Sequence, residues 1–186
     1  MSNFSIIAGV LSMVLGLSVT RLLLGLVTVF RIRHTCHVDW VPLVWALLLF
    51  ATQLEYWWVI NQLPLVKSAF TFQEFIFLVM LTLMLFISAA LLLPSRTEDE
   101  EGGLRQYFER DGRYALLSYS GFLALGFIAN VFFLNHPVAG SWAYMDLIMM
   151  TVPVLACFSR KRRTYMALTL FYVPLSIFDI ALSLGQ

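Results

Sequence analysis

Charge is what this chain has least of. Asp, Glu, Lys and Arg make up 12% of its 186 residues, where a soluble domain carries about a quarter. The net charge is +1, so nothing favours a nucleic-acid or polyanionic partner. The two cysteines, Cys36 and Cys157, cannot build a disulfide framework. Residues 1–5 carry no basic segment ahead of the first apolar run, and that run is longer than the apolar region of a signal peptide, so no cleaved leader is expected. No polar stretch exceeds about twenty residues, which leaves no room for a second, soluble domain.

Other absences narrow the chemistry. The apolar segments contain no lysine for a retinal Schiff base and no histidine to ligate haem. No glycine-rich loop is placed to cradle a phosphate. "RHTCHVD" (33–39) gathers His34, Cys36, His37 and Asp39, all metal-ligand types. Its spacing fits no established finger, and no second cluster completes four ligands. No cofactor is expected.

What is abundant is apolar residue, at 60%. Six apolar segments stand out, at about 5–30, 41–60, 70–93, 114–134, 142–159 and 164–184, each near the roughly 20 residues that a spanning helix needs. In hydrocarbon every backbone polar group must be bonded internally, so these read as helices. The fold expected is an all-α integral membrane protein, a single six-helix transmembrane domain over residues 1–186. Pro153 and Pro174 fall inside the last two helices and should bend them.

Basic residues set the orientation. The first, third and fifth connections hold ten: Arg31, Arg33, Arg96, Arg105, Arg110, Arg113, Arg160, Lys161, Arg162 and Arg163. The opposite side holds Lys67 alone. Both termini should therefore face outward, with the basic connections cytoplasmic, in a bacterial inner membrane. Trp57, Trp58, Trp142 and Tyr144 then fall at the outer interface and Trp40 at the inner one. The acidic cytoplasmic loop 95–112 places Leu104, Tyr107 and Phe108 at helical spacing between charges. That pattern suits a short interfacial helix or a solvated linker. "SRKRRT" (159–164) would attract anionic lipid headgroups.

One cation is out of place. Arg21 lies nine residues before Phe30, roughly 14 Å from the inner end of its helix at about 1.5 Å per residue. Insertion there costs about 2.5–3.5 kcal/mol. Ser18, Gly25 and Thr28 share its face, and Ser5, Gly9, Ser12, Gly16 and Thr20 form a second stripe that permits close helix approach. Glu55, Glu74, Asp146, Asp179 and Asn130 all fall in the outer third of their helices. Glu74 and Asp146 also fit as helix-start residues at the interface. Tyr165, Thr169, Tyr172, Ser176, Asp179 and Ser183 recur at steps of three and four along the last helix, a polar stripe that must avoid lipid.

These residues suggest an outward-facing acidic pocket floored by Arg21, with Glu55, Asn130, Asp146 and Asp179 around it and Tyr172 and Ser176 continuing inward. The function expected is a small transporter or channel for a cation, proton or small polar solute, not an enzyme. Its partners would be membrane lipids and, in a homo-oligomer, further copies of itself. Two other readings stay open: a non-transporting subunit or sensor that binds partner proteins, and a membrane enzyme acting on lipid through paired acids and a divalent metal.

Overall fold

The computed structural model describes residues 3–34, 37–66, 70–94, 103–132 and 141–184. It contains seven α-helices and no strand among the described residues: α1 Asn3–Ile32, α2 Trp40–Val66, α3 Phe72–Leu92, α4 Gly103–Tyr107, α5 Tyr114–Phe132, α6 Ser141–Phe158 and α7 Arg162–Leu184, with a π-helical turn, Phe108–Gly112, between α4 and α5.

Five helices are long and apolar enough to cross a membrane: α1, α2, α3, α5 and α7. The apolar stretch of α6, Ala143–Phe158, is shorter, about 24 Å at about 1.5 Å per residue. Large apolar side chains cover the outside of the bundle, among them Leu24, Leu47, Phe132, Leu155 and Phe171. So much exposed hydrocarbon suits lipid as the surrounding solvent. The chain is a membrane-embedded helical protein. Two helices outrun the expected bounds. The α2 helix continues to Val66 past Pro64, so "NQLPLV", with the polar composition of a helix exit, forms a further turn. The α1 helix has 30 residues and is about 45 Å long, well beyond the roughly 30 Å of hydrocarbon.

The long helices form a ring in the order α1, α3, α5, α6, α7, α2, with α2 also packed on α3. Serine hydroxyls tie it together. Ser88 donates to the carbonyl of Ala115 at 2.9 Å and Ser118 to that of Met84 at 2.8 Å, joining α3 to α5, while Ser120 donates to Met150 on α6. Such bonds average only about 0.6 kcal/mol in a membrane. The larger contribution is the close approach that small residues allow. A Cβ on Gly25 would lie 2.7 Å from Leu93 Cβ, so α1 meets the end of α3 only because residue 25 is glycine. The stripe of Gly9 and Gly16 serves no such contact: a Cβ at either position meets nothing within 4 Å.

Local rules set the helix ends. Thr71 and Glu74 form a reciprocal capping box at the start of α3. Pro94 forces Leu93 out of the helix into extended backbone (φ −121°, ψ 147°), which ends α3. Asp39 accepts from the N–H of Val41 at 3.1 Å, capping α2, and pairs with Arg162 at 3.2 Å. It is spoken for as a cap, while His34 and His37 are exposed and Cys36 lies outside the described residues. Of loop 95–112, residues 103–112 are helical and fold against the end of the bundle that carries the basic connections. Leu104 and Phe108 are buried in its core, and Tyr107 donates to the carbonyl of Leu91. Residues 95–102 lie outside the described residues.

Candidate functional site

A cavity of about 290 Å³ opens at the end of the bundle opposite the basic connections. It is framed by the second half of α2, the first half of α3, α5 from Tyr119 onward, the start of α6 and the end of α7. The α2 helix contributes Thr52, Glu55 and Tyr56, and α5 contributes Tyr119, Phe122 and Asn130. Asp146 from α6 and Ser176 and Asp179 from α7 complete the polar wall. Steps of three and four residues put each helix's contributors on one face. A smaller neighbouring cavity of about 110 Å³ shares Asn130, Asp146 and Asp179, so these three stand where the two spaces meet.

The electrostatics are one-sided. Glu55, Glu74, Asp146 and Asp179 line the larger cavity, and no Lys, Arg or His does so among the described residues. Glu74 is committed elsewhere: its carboxylate accepts from the N–H of Thr71 at 2.9 Å in the capping box, the helix-start role that its position allowed. The remaining wall is apolar and aromatic, with Phe70, Tyr56, Tyr119 and Phe122 presenting rings.

Hydroxyls and aromatic rings close the inner end of the cavity. Tyr172 donates to Tyr119 at 3.1 Å. Tyr119 and Thr52 are bonded at 2.9 Å, and Thr52 donates to the carbonyl of Leu48 at 3.1 Å. Each hydroxyl has one proton to give, so the chain runs in one direction: Tyr172 to Tyr119 to Thr52 to the backbone. Below it the rings of Trp45, Tyr119 and Tyr172 pack together, with centroids 5.0 to 6.4 Å apart. Trp45 and Tyr172 are 2% and 0% exposed, which makes this layer a dry plug.

The polar stripe of α7 therefore divides in two. Its inner members make helix contacts: Tyr165 donates to Glu109 at 2.8 Å, and Thr169 accepts from Trp45 at 2.9 Å. Ser176 and Asp179 line the cavity. Tyr172 sits between them, in the plug. The side chain of Ser183 lies outside the described residues.

Arg21 is not where the depth arithmetic placed it. It is absent from the cavity wall. Its guanidinium donates to the carbonyls of Ala90 at 3.0 Å and Leu93 at 3.3 Å, at the C-terminal end of α3. The final carbonyls of a helix have no intrahelical partner and carry the negative end of its dipole. The partner of this cation is thus a helix terminus rather than a carboxylate. That depth was counted from Phe30 alone. The α1 helix is longer than a hydrocarbon core is thick, and Arg21 is level with the last turn of α3. Two residues of its face pack inward: Ser18 is fully buried and accepts from Gln53 Nε2 at 2.7 Å, and Gly25 packs on Leu93, while Thr28 donates to the carbonyl of Leu24 on its own helix.

Thr52, Tyr56 and Tyr119 were not singled out from the sequence, although the signal was there. Thr52 and Tyr56 flank Glu55 on one helical face, and Tyr119 lies eleven residues, about three turns, before Asn130. The buried Gln53, whose Oε1 has no hydrogen-bond partner, had no comparable signal. Among the described residues, no three His, Cys, Asp or Glu side chains group closely enough to hold a metal ion.

Comparison of the chain with protein families, with curated proteins and with solved structures finds no match. The fold and the cavity themselves define the class: a helical membrane protein with an acidic, aromatic-walled cavity at one end.

Proposed function

We propose that this protein is a small membrane transporter or channel for a cation, with the 290 Å³ cavity as its binding site. One observation carries the reading: several carboxylates face a cavity that no basic side chain lines among the described residues. Carboxylates surrounded by hydrocarbon favour a counter-cation. The rings of Tyr56, Phe70, Tyr119 and Phe122 add faces on which a cation is attracted to π electrons. An apolar wall with carboxylates and rings suits a small organic cation better than a bare metal ion, which would need oxygens in place of its lost water. Glu55, Asp146 and Asp179 supply the charge, and Asn130 and Ser176 supply hydrogen bonds. Arg21 has a structural part, not a place in the floor.

In this reading the protein spans a bacterial inner membrane six times, with α6 as the short span and both termini outside. The positive-inside rule then directs the cavity outward, and the Trp45–Tyr119–Tyr172 plug is the closed inner gate. Moving that plug would open the path inward along Tyr172.

The test is uptake of benzyltrimethylammonium, a permanent organic cation, into proteoliposomes. The wild type should accumulate it above empty vesicles. Asp179→Asn should abolish uptake with an unchanged melting temperature, and full uptake by that variant removes the reading. A second reading, a non-transporting subunit that binds partner proteins, draws support from the dry Trp45–Thr169 packing along the inner half of α7. It predicts no uptake by the wild type and a protein that co-purifies.

A further inference from the structure

A second cavity, of about 180 Å³, lies at the basic end of the bundle and shares no lining residue with the first. Arg113, Arg160, Ser159, Tyr165 and Glu109 form its polar wall, with Phe108 behind them. Three of the arginines at this end are already paired: Arg105 with Glu109 at 2.9 Å, Arg110 with Asp111 at 2.7 Å and Arg162 with Asp39 at 3.2 Å. Arg113 and Arg160 make no ion pair with any described residue. The one carboxylate in the wall, Glu109, is engaged by both Arg105 and Tyr165. Arg113 and Arg160 therefore line one cavity with no ion-pair partner, beside a Glu109 that is already bonded; the Arg113 guanidinium lies over the ring of Tyr114, 5.6 Å from its centroid, and Arg160 is exposed.

The backbone holds these groups in place. The N–H of Arg113 bonds the carbonyl of Phe108 at 2.8 Å, closing the π-helical turn, a form that is frequent at functional sites. Gly112 lets that turn press against the end of α3, since a Cβ there would stand 3.0 Å from the carbonyl oxygen of Leu92. Arg113 is thereby fixed and half-buried. Ser159 and Arg160 come from the link between α6 and α7, immediately before the positive end of the α7 dipole. The Ser159 hydroxyl makes only a long bond of 3.5 Å to the carbonyl of Lys161, so it is readily redirected.

Planar guanidiniums beside a hydroxyl and a helix N-terminus are suited to tetrahedral oxyanions, which they bind in two-pronged fashion. We propose that this cavity binds a phosphate group, carried either by an anionic phospholipid headgroup or by free inorganic phosphate. The site stands independently of the transport reading.

The test is native mass spectrometry of the full chain in detergent, titrated with phosphatidylglycerol. One lipid should bind the wild type, and Arg113→Gln/Arg160→Gln should weaken that binding about tenfold or more, the scale of losing one charge-assisted bond. Arg31→Gln/Arg163→Gln removes the same charge from exposed positions outside the cavity and should bind as the wild type does. Equal binding by the Arg113/Arg160 variant overturns the proposal. So does an equal loss in the Arg31/Arg163 variant, which would mean general charge attraction. Circular dichroism checks folding. Should the double glutamine variant fail to fold, Arg113→Lys/Arg160→Lys keeps the charge but loses the two-pronged geometry. Weakened lipid binding by that variant supports the site, and unchanged binding overturns it. Inorganic phosphate is then added as a competitor: displacement of the lipid assigns the site to phosphate from either source, and no displacement assigns it to the lipid headgroup.

Discussion

Arg21 shows how a cation on an apolar helix is held without a carboxylate partner. Hydrogen bonds from a charged donor contribute about 1.5–3 kcal/mol each. The benefit is mutual, because Pro94 ends α3 and leaves carbonyls in need of donors. Arg21→Met should therefore destabilise the protein by about 1.5–3 kcal/mol, read as a fall in melting temperature in detergent. Cation binding per folded molecule should be unchanged, since Arg21 is not in the cavity wall. Glu109 gives a second prediction at this scale. Burial works to raise its pKa, but the hydrogen bonds from Arg105 and Tyr165 and the charges of Arg105 and Arg162 outweigh it, holding the group below its ordinary 4.5. A depressed folded pKa means that the stabilisation is complete above the unfolded value and is lost as pH falls through the folded one. Melting temperature should fall as the medium is acidified below about pH 4.5, and Glu109→Gln should flatten that part of the curve.

At the scale of the helices, close packing is confined to one of two glycine stripes that look alike in sequence. Gly25 meets Leu93, and Gly9 and Gly16 meet nothing. Gly25→Ala should cost about 1–3 kcal/mol through overpacking, and Gly16→Ala should stay within about 0.5 kcal/mol of the wild type. Thermal melts of the two variants check this. A small-residue stripe marks where another helix could approach, but not whether one does, so sequence alone could not rank the two. The positions and type of the long helices were legible, because apolar length and the need for internal backbone bonding leave few alternatives. Extent was less legible. Asn61, Gln62 and Pro64 have the composition of an exit, yet α2 carries on through them. The same difficulty hid the partner of Arg21: it depends on where α3 stops, and Pro94 rather than hydropathy sets that point.

For the whole molecule, the grouping of acids survives while its floor changes. Placing Glu55, Asn130, Asp146 and Asp179 at one end needed only helix direction and residue count, and all four line the cavity. That Tyr119 and Thr52 close the space depends on which faces of α2 and α5 meet, which no single helix reveals. The molecule is electrically polarised as a result. One end gathers carboxylates around an aromatic-walled space, and the other gathers arginines beneath α4. Equilibrium binding of labelled benzyltrimethylammonium in detergent probes that polarity at its acidic end. Wild type should bind it saturably, Asp146→Asn/Asp179→Asn should not, and the uncharged isostere neopentylbenzene should fail to compete. Equal binding by the double variant, or displacement by the neutral compound, would contradict a cavity that selects for positive charge.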